Sequence, residues 1–216
     1  MSATLHTYFR SSASYRVRIA LNLKGLDAQH AFVHLNRGGG VQFGQAFRAL
    51  NPQSLVPVYS DDRVTLSQSL AIMEYLDERH PAPPLLPATM EARARARQLA
   101  LAVACDIHPL NNLRVLKFLT GPMGLSEQHK GEWVQHWIVL GLDAVEAELA
   151  RERRDGPFCV GAHPTIADCC LIPQIFSAQR FGVDLAPYPT LRAIDAACQA
   201  LPAFAKAHPS VQPDAE

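Results

Sequence analysis

The period of the hydrophobic positions changes along the 216-residue chain, and the change divides it in two. Between Thr4 and about His80, short apolar runs alternate with helical patterns. LHTYF predicts a first strand, and Ser11 to Ser14 predict a turn. From Tyr15 the positions Val17, Ala20 and Leu21, with Ile19 and Leu23 beside them, recur at helical spacing until Lys24, where Gly25 supplies a C-terminal cap. AFVHL predicts a second strand, and GGGVQFGQAFRAL a glycine-rich loop and short helix. VPVYS and RVTL, around Asp61-Asp62, predict a hairpin. From Ser69 the residues Leu70, Met73 and Leu76, with Ile72 and Tyr75, predict a third helix. The order is β-α-β-α-β-β-α.

Residues 81–89, PAPPLLPAT, hold four prolines and no periodicity, the composition of a linker. Beyond Met90 the pattern is helical. Glu91 to Leu119 repeats through Leu99, Val103, Leu113 and Leu116, with Pro109 imposing a bend or break. Trp133, Trp137, Leu140 and Ala144, flanked by Val134, Ile138, Val145 and Leu149, predict a long helix whose aromatic stripes are core. Thr165 and Asp168 form a capping-box pattern before an apolar helix and are read as structural. The ending HPSVQPDAE predicts a polar tail that frays. The expected fold class is therefore α/β plus all-α, with an α/β domain over 1–82 and an all-helical domain over 90–216.

Composition narrows the function classes. At 48% apolar and 19% charged the chain folds. Twenty Lys plus Arg balance twenty Asp plus Glu, so the general attraction used by nucleic-acid or anionic-membrane binders is missing, and neither partner is expected. Apolar runs such as Leu99–Cys105 fall far short of the ~20 residues of a membrane span, and MSATLHTYFR lacks the apolar core of a signal peptide. The cytoplasm is the expected compartment. Five cysteines (Cys105, Cys159, Cys169, Cys170, Cys198) without metal-ligand spacing predict buried, reduced thiols. His34, His80 and His129 show no ligand spacing either, and no metal is expected.

Three local features could hold a ligand. A strand running into Ser11, Ser12 and Ser14 sets hydroxyls beside free N–H groups at the positive end of a helix, although capping is the ordinary role of such serines. In Ser54-Leu55-Val56-Pro57 the proline opens a strand. Its peptide bond can be cis, exposing Val56 backbone groups to an extended ligand; a trans proline there would be purely structural. Gln68-Ser69 opens the third helix, again anion-receptive or merely capping. Strand-helix connections in a small α/β domain tend to converge at one sheet edge.

The element order, the Val-Pro before the third strand and the Gln-Ser opening the third helix resemble the thioredoxin-like domain of glutathione transferases. FRSSASYRVRIALNLKG (Phe9 to Gly25) is similar to the signature of their zeta class, the family of maleylacetoacetate and maleylpyruvate isomerases. DIHPLNNLRVL, ADCCLIPQ and RFGVDLAPYP extend the resemblance over essentially the whole chain. It implies a glutathione-binding first domain, a helical substrate-side domain and a homodimer. Ser11 or Ser12 would hydrogen-bond the glutathione sulfur, Val56 would pair with the cysteinyl backbone, and Gln68 and Ser69 would hold the γ-glutamyl end. Gln42 and Gln53 would be lesser contacts. The family's usual Ser-Ser-Cys-Ser-Trp is here Ser-Ser-Ala-Ser-Tyr, so Ala13 leaves only glutathione's thiol as the sulfur nucleophile.

Cis-trans isomerisation of an activated C=C can proceed by thiolate addition, rotation about the resulting single bond, and expulsion of the thiolate. A thiol of pKa ~8.5 is mostly protonated at neutral pH, so a hydroxyl donor at a helix N-terminus raises the supply of nucleophile. Ser11 is the first choice for that donor. The developing negative charge and the carboxylates of a diacid require arginines. Arg10 beside the serines, Arg114 and Arg180 are the candidates, whereas Arg93, Arg95, Arg97, Arg151, Arg153 and Arg154 read as solvated. His108 and Asn112, four apart on one helical face, could reach glutathione or substrate. The expected activity is glutathione-dependent isomerisation of a maleyl diacid, nominally maleylacetoacetate, with maleylpyruvate the alternative. A conjugating or dehalogenating transferase and a non-catalytic binding protein are the competing classes.

Overall fold

The computed structural model describes residues 3–151 and 155–216, which form two compact units, one up to Leu85 together with Ala200–Glu216 and one over Leu86–Gln199. In the first, TLHT alternates as expected and makes β1 (Thr4–Thr7) with Leu5 and Thr7 turned inward. β1 pairs in parallel with β2 (Gln29–Phe32) and antiparallel with β3 (Val58–Ser60), which pairs antiparallel with β4 (Thr65–Ser67). The sheet order is β2-β1-β3-β4. The second strand starts earlier than the expected AFVHL and stops at Phe32. Val33 and Leu35 join Tyr8, Phe9, Phe47, Val56 and Val58 in an apolar cluster instead of extending the ladder.

Helix α1 (Ser12–Lys24) begins inside the stretch expected to be a turn. The Ser11 side chain accepts from the Ser14 N–H at 3.2 Å, so the serines build the first helical turn rather than precede it. Gly25, at φ 63°, closes the helix in the left-handed conformation that favours glycine. Every residue from Ser14 to Leu21 is buried, which no amphipathic surface helix would show. The reason is that α1 packs on both α3 (Ser69–Arg79) and α9 (Pro202–Ala207). The short α2 (Gln45–Leu50) brings Phe47 against His6.

The linker expected over 81–89 contains the point, after Leu85, at which the two units divide, and the expectation of a fraying tail is corrected. Lys24, its ammonium buried, pairs with Asp77 at 2.7 Å and donates to the carbonyls of His80 and Pro83, so the proline-rich stretch begins pinned to the first unit. The polar ending does not fray. Gln212 is buried and donates to the Lys206 and His208 carbonyls, Asp214 accepts the Phe9 N–H at 2.9 Å, and Glu216 accepts from His34.

The second unit holds helices α4 (Met90–Leu101), α5 (Leu113–Thr120), α6 (Glu127–Arg151), α7 (Ile166–Arg180) and α8 (Pro189–Gln199). The periodic stretch predicted from Glu91 to Leu119 is broken as Pro109 demands, with a π-helical segment at Ala102–Ile107 and a 3-10 turn at His108–Asn111 before α5. A Cβ on Gly141 would stand 2.3 Å from Ile107, so glycine is what lets α6 approach the π segment. The core stripe of α6 is Val134, Ile138, Leu142, Val145 and Leu149. The other expected stripe is not core: Trp133 and Trp137 are half-buried and Leu140 is 53% exposed. The Thr165–Asp168 capping box forms in full, and burial pushes the Asp168 carboxyl above the usual range. Four cysteines are buried as expected, but Cys105 is exposed on the π segment.

Candidate active site

The α1 turn and the start of α3 are two helix N-termini built differently. At α1 the Ser11 Oγ lone pair is occupied by the Ser14 N–H, which leaves its O–H free to donate. Ser12, the first helical residue, is half-buried beside it. Arg10 is exposed, with its guanidinium 5.5 Å from the Phe9 ring centroid and 3.4 Å from the Tyr8 hydroxyl. At α3 the N-cap position is Gln68, with φ 71° and no side-chain cap bond. The leading N–H groups of α3 are therefore left for another acceptor.

A buried guanidinium stands beside that helix end. Arg16 is 2% exposed and donates from Nη1 to Ser69 Oγ at 3.2 Å, while its Nε and Nη2 are buried without a partner. A buried cation with so little compensation is costly unless a negative group joins it. The γ-glutamyl end of glutathione carries a carboxylate, so the residues present fit that group. Sequence reasoning missed Arg16 and its neighbour Arg18. The available signal was two arginines alternating with apolar residues in YRVRIAL, in a helix that proved buried all round.

The other expected contacts divide. Gln53 and Gln68 come together, the Gln68 amide donating to Gln53 Oε1 at 3.1 Å. Val56 precedes a cis peptide bond to Pro57 and lies two residues before β3 begins. Asn51, buried and also missed from sequence, shapes this loop by donating to the Leu55 carbonyl and accepting the Gln53 N–H. Gln42 is 3% exposed, donates to the Leu35 carbonyl and buries its Oε1 without a partner.

In the second unit the structure corrects one pairing. His108 opens the 3-10 turn, whereas Asn112 has extended backbone and caps α5 by accepting the Arg114 N–H at 3.1 Å. The two therefore do not share an α-helical face, because the π segment and Pro109 reset the helix between α4 and α5. Arg114 is exposed on the first turn of α5. Arg180 is exposed at the end of α7, its guanidinium 4.3 Å from the Phe181 ring centroid. Of the arginines read as solvated, Arg95 is corrected: its side chain pairs with Glu148 at 2.5 Å and ties α4 to α6. Arg151 is exposed, and Arg153 and Arg154 lie outside the described residues.

A thioredoxin-like sheet with a hydroxyl turn opening α1 and an uncapped N-terminus at α3, followed by an all-helical unit, defines the class. Residues 5–84 match the family model of the glutathione S-transferase N-terminal domain, and residues 132–209 that of the C-terminal domain. The chain is 49% identical over 215 residues to a protein of Vibrio cholerae named as a probable maleylacetoacetate isomerase, covering 100% of this chain and 99% of the relative. A solved zeta-class glutathione transferase, the holo form of a maleylpyruvate isomerase, superposes with a TM-score of 0.95 at 48% identity, over 99% of this chain and 100% of that one. A maleylacetoacetate isomerase from Methylobacterium extorquens AM1, solved with malonate and glutathione bound, gives 0.94 at 43% identity over 99% of each. The chain belongs to the glutathione transferase superfamily, in its zeta class.

Proposed function

We propose that the protein is a glutathione-dependent cis-trans isomerase of a maleyl diacid, with maleylacetoacetate the nominal substrate. The observation that carries this reading is the Ser11 hydroxyl, whose acceptor side is taken by the cap of α1 while its proton stays available. Bound glutathione would supply a thiolate able to add to, and leave, the activated double bond. Ser11 holds that sulfur in its ionised form, aided by the N-terminus of α1, and Ser12 assists. Val56 pairs with the peptide backbone of glutathione. Gln68, Ser69 and the first N–H groups of α3 receive its γ-glutamyl end, with Arg16 behind Ser69 and Gln53 beside Gln68. Gln42 is a lesser contact to the tripeptide.

Arg10, Arg114 and Arg180 hold the substrate carboxylates and the negative charge that develops during the reaction, and His108 and Asn112 are secondary contacts. The malonate bound in the M. extorquens relative supports a dicarboxylate substrate. Maleylpyruvate is the second reading, because relatives named for the two substrates stand at 49% and 48% identity. The homodimer and the cytoplasmic setting belong to the same proposal. No helix among the described residues is long and apolar enough to cross a membrane.

The test compares Arg10→Met and Arg180→Met on a maleyl diacid and on an uncharged electrophile conjugated by glutathione. Each substitution keeps much of the aliphatic bulk but removes the charge. Loss of one bidentate contact should cost ~2 kcal/mol in transition-state binding, roughly thirtyfold in kcat/KM for the diacid alone. Arg151→Met, in the exposed last turn of α6, is the control. Equal losses on both substrates would assign the arginines to structure and leave a general transferase.

A further inference from the structure

The chain's last residues grip the segment that leads into the serine turn. Arg18, two turns into α1 and 2% exposed, gives its guanidinium almost wholly to backbone. Its Nε donates to the Ala207 carbonyl at 3.1 Å, Nη1 to the Tyr8 carbonyl at 3.3 Å and to Thr7 Oγ1 at 3.2 Å, and Nη2 to the Phe9 carbonyl at 2.8 Å. From the other side Asp214 Oδ2 accepts the Phe9 N–H at 2.9 Å. Both polar backbone atoms of Phe9 are thus held by side chains. The Ser11 N–H in turn donates at 3.0 Å to the Tyr8 carbonyl, the same oxygen that Arg18 holds.

Burial lowers the Arg18 pKa to about 10 and the charge of Asp214 opposes that shift, so the guanidinium stays charged at neutral pH. Asp214 also keeps a second oxygen, Oδ1, buried without a partner.

We infer that Asp214 and Arg18 are positioning residues for the serine turn: by clamping Phe9 from both sides they fix where the Ser11 hydroxyl donates. The inference rests on the glutathione activation proposed above. Its readout is the pH titration of the thiolate absorbance of glutathione bound to the full-length protein, with calorimetric affinity and melting temperature measured alongside.

Asp214→Ala should leave roughly threefold to tenfold less thiolate at neutral pH, with affinity little changed and the melting temperature lowered by the loss of the acceptor for the Phe9 N–H. The sign is diagnostic. Removing a nearby negative charge would by itself favour the thiolate, so a fall must come from the displaced turn. Asp214→Asn keeps an oxygen for the Phe9 N–H and should restore the thiolate to the wild-type level or above. Glu216→Ala, which removes the last tail contact to His34, should titrate as wild type. A wild type that binds no glutathione would overturn the proposed function itself. A wild type that binds and ionises it, with Asp214→Ala and a deletion of residues 213–216 both titrating normally, overturns this inference alone. An Asp214→Asn as impaired as Asp214→Ala does the same.

Discussion

The starts of α1 and α3 are both helix N-termini in the first unit, yet one is closed and the other open. At α1, Ser11 caps its own helix by accepting the Ser14 N–H, and its hydroxyl proton is not used by that bond. At α3, Gln68 leaves the first N–H groups uncapped, and a buried arginine adds charge behind them. A closed start with one spare proton suits a single atom, such as a sulfur. An open start with several donors suits a carboxylate, which has two oxygens to satisfy. The same helix-end physics thus produces an activating site and an anchoring site within one unit.

Breaking the closed start should have the largest effect. Ser11→Ala is expected to lower kcat/KM at neutral pH by roughly thirtyfold, about 2 kcal/mol, by raising the pKa of the bound thiol. The sign fixes the pH dependence: the deficit should shrink as assay pH rises past the variant's thiol pKa. Melting should also show the lost cap, at about 1 kcal/mol.

Breaking the open start should change affinity rather than ionisation. Arg16→Met is expected to weaken glutathione binding by about tenfold in calorimetry, leaving the thiol titration in place. The ligand-free protein should be no less stable, since Met replaces a buried guanidinium that has two unpartnered nitrogens. A marked fall in melting temperature would show that Arg16 is structural.

Gln68 sharpens the comparison further, because its φ of 71° belongs to the region where glycine is at ease. Gln68→Gly should stabilise the fold by up to about 1 kcal/mol while binding glutathione several-fold more weakly, as Gln68→Ala should. The smallest effect expected is that of Ser12→Ala, less than about threefold in kcat/KM, because Ser11 and not Ser12 makes the cap bond. A larger loss at Ser12 than at Ser11 would exchange their roles and leave the contrast with α3 standing.

Much of this was legible in the sequence because it depends on neighbours a few residues apart. Periodicity placed α1, α3, α6 and the hairpin but not α8 or α9, Gly25 marked the end of α1, Pro109 the break before α5, and Thr165 with Asp168 the start of α7. The serine turn and the Gln68-Ser69 start were likewise readable as donor-rich helix ends. What escaped were consequences of burial. Arg16 and Arg18 look like solvent-facing residues of an amphipathic helix until α3 and α9 cover α1 on two sides. The tail looks disordered because its composition is polar, and it becomes ordered because its polar groups meet the Phe9 N–H between β1 and α1, the His34 ring and the carbonyls at the end of α9. The reverse occurred at Leu140, apolar in the pattern yet left uncovered within its unit.

The sequence by itself determined the element order of the first unit through α3, the caps at Gly25 and Thr165, and the family resemblance, since local propensity and spacing suffice for these. Tertiary structure alone decided which arginines are buried and what the last residues hold. Those outcomes depend on partners far apart in the chain, as Phe9 and Asp214 are, and on a desolvation cost that exists only once the surfaces have closed.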